Sequence, residues 1–536
     1  MRRRHLLIPI FLTLLASAVS AQAGGPLTRA ERSDFRETSR YADVLAFLDT
    51  VSRASPLVHL TTFGYTWEGR ALPLAVVTTL PDVSPQAIRA SGRTVVYLQG
   101  DIHAGEVEGK EALQEILRDV ARGQHRAWLD SLVLLVAPIF NADGNERIAL
   151  GNRPQQHGPI AGMGTRANAQ GLNINRDFSK LETPEARSQA LLMQAYDPHV
   201  LVDLHTTDGT FHAYQMTYAP PLHPNTDAAI AGLLRDEWLP AITRSVKAKY
   251  GYDFYHYGNV PAPESPWAAE RGAERGWYTY DWRPRFSNHY WGLRNRFGIL
   301  SETYSYLTFR ERIEVQKRFV EELVEWAARN ASRIRRVTAE ADRRSVVGST
   351  LAVTARLRRT GPATILMGEV TEERNPYSGE VMWRRKDVVR PERMPEFIAY
   401  DAAETERAPA AWLVPDSMRD VADRLAAHGV RFERVATLPA GAAVEEFRVD
   451  SATTARNESE GHRERRLFGA WRPSQRTAGG GWLRVPADQP LGRLAFTLLE
   501  PRSDDGFAAW GLLDAWLKEG AAVYPILRLP ASPVPR

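Results

Sequence analysis

Four short runs constrain this chain more than any other feature. Thr94–Leu98 (TVVYL), Leu132–Ala137 (LVLLVA), Val200–Leu204 (VLVDL) and Gly298–Ser301 (GILS) are continuously apolar or rich in β-branched residues, and polar residues follow each one at once. A strand that is apolar on both faces belongs inside a sheet covered by helices on both sides, whereas a strand with one wet face would alternate. Between these runs Glu108–Val120 has helical spacing. Farther on, Thr308–Ala341 reads as one long amphipathic helix with Ile313, Val320, Leu323 and Ala327 along a single stripe. The expected fold is therefore α/β, with a mixed, largely parallel sheet flanked by helices. Open sheets of this kind bind their ligands where the strands end and the loops converge. Chemistry is expected at 99–106, 138–144, 205–209 and 302–306.

A chain of 536 residues exceeds what one hydrophobic core usually organises. After Arg343 its character changes to arginine-rich, short alternating segments such as Leu351–Leu357 and Thr364–Val370. Within that part, Ala410–Pro415, a helix over 418–428 and Val430–Val435 suggest one βαβ unit, and 451–465 and 473–481 read as exposed loops. The division expected is a targeting segment at 1–23, a catalytic domain at 24–342, and a β-rich or α+β accessory domain at 343–536.

The targeting segment is read from Arg2, Arg3 and Arg4, the apolar run Leu6–Leu15, and small residues ending in Ala21-Gln22-Ala23. The apolar run is shorter than the roughly 20 residues that span a bilayer. A cleaved signal, an exported protein in the periplasm or outside the cell, and no stable membrane span are therefore expected. The chain has 68 basic and 64 acidic residues; three of the basic ones lie in that segment, which leaves a mature formal charge of +1. So small a surplus gives no sign of the concentrated cationic face that nucleic-acid binding needs, and no nucleic-acid partner is expected. Cysteine is absent, so thiol nucleophiles and thiolate ligands are excluded, and a metal must be held by His and carboxylates.

The chemistry-bearing pieces lie at the ends of the four strands. His103-Ala104-Gly105-Glu106 follows the first, and an imidazole and a carboxylate three apart in a tight turn can converge on one ion. His205 closes Val202-Asp203-Leu204-His205 at the same rim, with Asp203 or Asp208 available to orient its ring. Glu302 ends the fourth run, either as a strand-end ion-pair partner or as a base beside a metal. Asn175 and Arg176 lie in NAQGLNINRDF at 168–178. They form either a clamp for a carboxylate or, through Asp177, a plain ion pair. There is no GxSxG elbow and no HExxH, so the serine-hydrolase and thermolysin-like classes lack their motifs.

In the order HxxE, NxDG, GxNxNRDF, DLH and a strand-end SET, these pieces resemble the zinc carboxypeptidase family (M14-type metallocarboxypeptidases) over roughly residues 30 to 340. The resemblance implies one Zn²⁺ per chain on His103, Glu106 and His205, with Glu302 as general base. It implies that Asn175 and Arg176 bind the terminal carboxylate of a peptide substrate. An arginine that polarises the scissile carbonyl falls on Arg153 or Arg166, and a substrate-covering tyrosine falls on Tyr280. Selectivity would be shaped just before the catalytic strand, where Asp281, Arg294 and Arg296 are the charged candidates. The function implied is hydrolysis of C-terminal peptide bonds by a zinc-activated water. The alternatives are a cell-wall peptide amidase or endopeptidase on the same zinc site, and an inactive binding protein that retains the metal.

Overall fold

The computed structural model describes residues 25–207, 209–261, 274–436, 443–474, 481–518 and 520–531. The expected signal at 1–23 lies outside them, as does Asp208. Among the described residues no helix is long and apolar enough to cross a membrane.

An eight-stranded sheet organises the first part of the chain. Its strands are β1 (Val58–Tyr65), β2 (Ala71–Val77), β3 (Thr94–Gly100), β4 (Leu132–Ala137), β5 (Val200–Thr207), β6 (Met216–Ala219), β7 (Phe254–His256) and β9 (Phe297–Tyr304), in the spatial order β1-β2-β4-β3-β5-β9-β6-β7. The central pairs β4/β3, β3/β5 and β5/β9 are parallel, while β1/β2, β2/β4 and β9/β6 are antiparallel. The sheet is thus mixed and largely parallel, and the four apolar runs are its central, parallel strands. Every residue of β3, β4 and β5 is buried, because helices cover both faces.

The helix over Glu108–Ala121 forms where its spacing predicts. The long helix does not run unbroken: it divides into Phe309–Arg329 and Ala331–Arg343. Asn330 sits at the break with φ −112° and ψ 14°, and both its backbone and side-chain nitrogens donate to the carbonyl of Trp326. Asparagine competes for backbone groups in this way and ends helices that apolar periodicity alone would continue.

The residues after 343 build several smaller sheets. The largest has six strands, among them Ala411–Pro415, Glu433–Val435, Glu445–Thr454, Arg465–Pro473 and Trp482–Pro486. The strands Ala411–Pro415 and Glu433–Val435 flank the helix Arg419–His428, but they do not touch; Trp482–Pro486 lies between them, antiparallel to both. Residues 451–454 and 465 continue strands instead of forming loop, so the turn between those strands is confined to 455–464. Both faces of this stretch are wet, which leaves no apolar alternation to mark it.

The two parts of the chain share one apolar core, in which Tyr97, Leu135 and Trp291 join Trp412, Leu494 and Phe496. They also share a sheet, since β8 (Trp277–Tyr278) pairs in parallel with Arg390–Phe397. Arg294 and Arg296, considered above as selectivity residues, serve this packing. Arg294 donates to the Tyr290 hydroxyl and the His428 carbonyl, and Arg296 is paired with Asp197 and Asp342.

Behind the rim of the sheet, Arg312 is fully buried. It pairs with Glu108 at 3.1 Å and donates to the carbonyls of His157, Ser305 and Leu307. Glu108 in turn accepts from the Thr206 hydroxyl. Replacing Arg312 by Met leaves a buried carboxylate uncompensated. The expected loss is about 3–5 kcal/mol, read as a shift of the urea midpoint to lower concentration.

Candidate active site

Parallel pairing brings three sequence-distant loops to one rim. β3 ends at Gly100, and Asp101 then turns the chain in the left-handed region (φ 67°) into the His103–Glu106 turn. Gly105 is required within that turn, because a Cβ there would lie 2.9 Å from both the Gly164 carbonyl and the Arg153 Nε. β5 delivers His205, and β9 sets Glu302 directly across from it in register. The short helical turn Ile174–Arg176 places Asn175 and Arg176 alongside.

His103, Glu106 and His205 are buried and converge on one point. The Nδ1 atoms of the two imidazoles are 3.2 Å apart, and Glu106 oxygens lie 2.9 Å from His103 Nδ1 and 2.8 Å from His205 Nδ1. The opposite ring nitrogens are held by oxygen: His103 Nε2 lies 3.0 Å from Asn173 Oδ1, and His205 Nε2 lies 3.0 Å from Asp203 Oδ2. With Nε2 donating to those oxygens, both Nδ1 lone pairs face the carboxylate in a buried space. That arrangement is repulsive unless positive charge sits between them. Although burial opposes charging His205, Asp203 and Glu106 together hold its pKa well above the usual imidazole range. His103, buried and facing Arg166, is pushed down to about 3. Two imidazole nitrogens and a carboxylate suit zinc, whose tetrahedral bonds place donor atoms roughly 3.3 Å apart. The residues present therefore fit a zinc ion, with Asp203 and Asn173 orienting its ligands.

A cavity of about 1010 Å³ opens onto this group, and Glu302, Arg153, Arg166, Asn175, Arg176 and Tyr280 all line it. Burial pushes the Glu302 carboxyl up to about 8. Arg153 contacts Glu106, and Arg166 lies 3.2 Å from His103 Nδ1, so both candidate arginines reach the metal ligands. Asn175 Nδ2 lies 3.3 Å from His205 Nε2, and its Oδ1 accepts from the Ser287 amide.

Arg176 does not pair with Asp177, which instead accepts from Glu182 and Thr183. Its guanidinium stacks 3.7 Å from the Phe286 ring centre and donates to the Asn175 carbonyl. Burial and the neighbouring Arg166 push it down to about 9. The Tyr280 hydroxyl donates to Asn288 Oδ1, and its ring stacks on His289. Asn141 and Asp143, from the rim segment 138–144, are structural: Asn141 caps the next turn, and Asp143 binds Thr66 and Arg70.

Several residues of the cleft escape sequence reasoning. Arg283 and Arg285 form a charged wall with Asp281 and with Glu464 from the C-terminal part, and Ser459 and Met367 also line the cavity. Nothing local marks Ser459, Glu464 or Met367, since only long-range packing brings them here.

These features define a buried His-Glu-His metal centre with a carboxylate beside it, the geometry of a zinc hydrolase. Residues 44–206 match the model of the zinc carboxypeptidase family, Peptidase_M14, and this stretch is a zinc carboxypeptidase domain. Carboxypeptidase 2 of Trichophyton tonsurans is 28% identical over 142 residues, which are 26% of this chain and 23% of that protein. Carboxypeptidase 2 of Trichophyton rubrum is 27% identical over 140 residues, with the same shares of the two chains. The chain thus spans about a quarter of the length of these relatives. Among solved structures, a metallo-carboxypeptidase from Burkholderia cenocepacia aligns at TM-score 0.40 and 15% identity over 55% of this chain and 70% of that one. One from Pseudomonas aeruginosa, in complex with (2-guanidinoethylmercapto)succinic acid, aligns at 0.39 and 14% over 54% and 69%.

Asp203 is fully buried and binds Gln99 and Ser287 as well as His205. Asp203→Asn keeps the shape but removes the charge that makes His205 basic. The expected result is a 10- to 100-fold loss of zinc affinity, measured by competition with a chromophoric chelator.

Proposed function

We propose that this chain is an exported zinc metallocarboxypeptidase that removes residues from peptides with a free C-terminal carboxylate. The observation that carries the reading is Arg176: a guanidinium in the wall of the metal cavity, with no carboxylate in ion-pair contact among the described residues, beside the amide of Asn175. A partly buried cation left unpaired is costly unless a ligand completes it. A planar carboxylate matches a guanidinium and an adjacent amide donor. Export rests on the Arg2–Ala23 segment.

Zinc, when bound by His103, Glu106 and His205, supplies a Lewis acid that polarises the scissile carbonyl and makes water acidic enough to attack near neutral pH. The chain's own residues do the rest. Asn175 and Arg176 hold the terminal carboxylate and so fix which peptide bond reaches the metal. Glu302 takes a proton from the attacking water and gives it to the departing amine. Its burial, which raises its proton affinity above that of an ordinary carboxylate, suits both halves of that exchange. Arg153 and Arg166 offset the negative charge that grows on the carbonyl oxygen. Tyr280 walls the cleft beside Glu302, its hydroxyl committed to Asn288.

The test compares hydrolysis of matched peptides with free and amidated C-termini by the mature protein and two variants. The expected outcome is one zinc per chain and cleavage of the free terminus only. Glu302→Gln should keep its zinc but lose about 10²–10⁴-fold in kcat, and Arg176→Ala should act mainly through KM. Equal cleavage of amidated peptides would replace this reading with an endopeptidase or amidase, and an inert protein without zinc would leave a binding protein.

A further inference from the structure

Glu460 and Glu464 come from the turn that joins Glu445–Thr454 to Arg465–Pro473, far from His103, Glu106 and His205 in sequence, yet Glu464 lines the cavity and Glu460 reaches the segment beside it. The turn is built to hold its shape. Glu460 and Gly461 take successive left-handed conformations (φ 50° and 78°), and the backbones of Ser459 and His462 exchange two hydrogen bonds across them. That is the geometry of a tight hairpin whose twist matches its strands.

Its contacts fall on the segment that carries Asn175 and Arg176. Glu460 Oε2 accepts from the Asn173 amide at 2.8 Å, while the side chain of the same Asn173 faces His103 Nε2. His462 Nε2 lies 2.8 Å from Glu182, just beyond that segment. Glu464 bridges Arg283 and Arg285 at 3.1 and 2.6 Å, and Arg285 is held from behind by Asp505. Arg285 stands near enough to Arg176 to disfavour its charged form, and Arg283 lines the same cavity.

We infer that this turn is part of the substrate site: Glu460 is a positioning residue for the carboxylate-binding segment, and Glu464 sets the charge of the pocket that receives the terminal side chain. The inference rests on the carboxypeptidase reading and assigns the C-terminal part of the chain a share in the active site. The two residues act in different ways. Without the Glu460 carboxylate, the Asn173 amide loses a charged acceptor and the segment must be ordered at the expense of substrate binding. Without the Glu464 charge, Arg283 and Arg285 gain net positive potential, which favours a terminal Asp or Glu.

The experiment compares Glu460→Gly, Glu460→Gln and Glu464→Gln in the full chain; glycine is chosen because it tolerates the left-handed backbone at 460. Glu460→Gly should raise KM for free-terminus peptides about tenfold with kcat within about twofold, and Glu460→Gln, which keeps an acceptor oxygen, should recover most of the loss. Glu464→Gln should shift kcat/KM about tenfold toward peptides ending in Asp or Glu over those ending in Ala. Amide hydrogen exchange in the peptide spanning 168–178 should quicken in Glu460→Gly, whether or not the protein hydrolyses anything. Wild-type protein that cleaves free and amidated termini alike would sink the carboxypeptidase reading but not this exchange result. Unchanged exchange and kinetics in Glu460→Gly, or a common loss of kcat and zinc in all three variants, would overturn the inference.

Discussion

The structure depends on one constraint: β5 is paired in parallel with β3 on one side and β9 on the other. Parallel strands end at the same rim, so the loop after each is delivered to the same place whatever its distance in sequence. His103, His205 and Glu302 are separated by about a hundred residues each, and the register of the three strands is what makes them neighbours. A slip of one residue in β9 would turn Glu302 to the other face of the sheet. Burial of all the other residues of β9 makes such a slip costly. The active site thus takes its accuracy from the core beneath it.

The metal centre imposes a second requirement on the residues around it. Three electron-rich groups are held together where water cannot screen them, and the two imidazoles are fixed from behind: His103 by Asn173, and His205 by Asp203, which is itself held by Gln99 and Ser287. These contacts come from four different elements. The charge balance is equally distributed, since Arg153 and Arg166 both reach Glu106 or His103. Such a site is assembled for a cation, and the low-dielectric setting that favours a cation among these groups also raises the proton affinity of Glu302.

What could be read from the sequence follows from how local each signal is. The strands carry their own signature in continuous apolar runs, and the ligands sit immediately beyond them, so their placement at one rim followed from strand ends alone. The break at Asn330 was hidden because periodicity records which face is buried and not where a backbone carbonyl is captured. The strand extension through 454 was hidden because it has no buried face. Arg294 and Arg296 lie close to β9 in sequence, yet their partners are Tyr290, His428, Asp197 and Asp342, because they precede the first residue of that strand, at the end opposite Glu302. Conversely, Glu464 had no local mark at all.

The C-terminal part is not a separate module. If it were a separate module tethered to a catalytic unit, its contacts with that unit would be polar, modest in extent and remote from the chemistry. Instead Trp412 and Phe496 belong to the same apolar core as Tyr97 and Trp291, and Arg390–Phe397 adds to a sheet begun by Trp277–Tyr278. Removing it would expose a large apolar surface and also leave Arg283 and Arg285 without Glu464. The packing that keeps the second part in place is what allows Glu464, more than 250 positions beyond His205, to stand in the wall of the cavity.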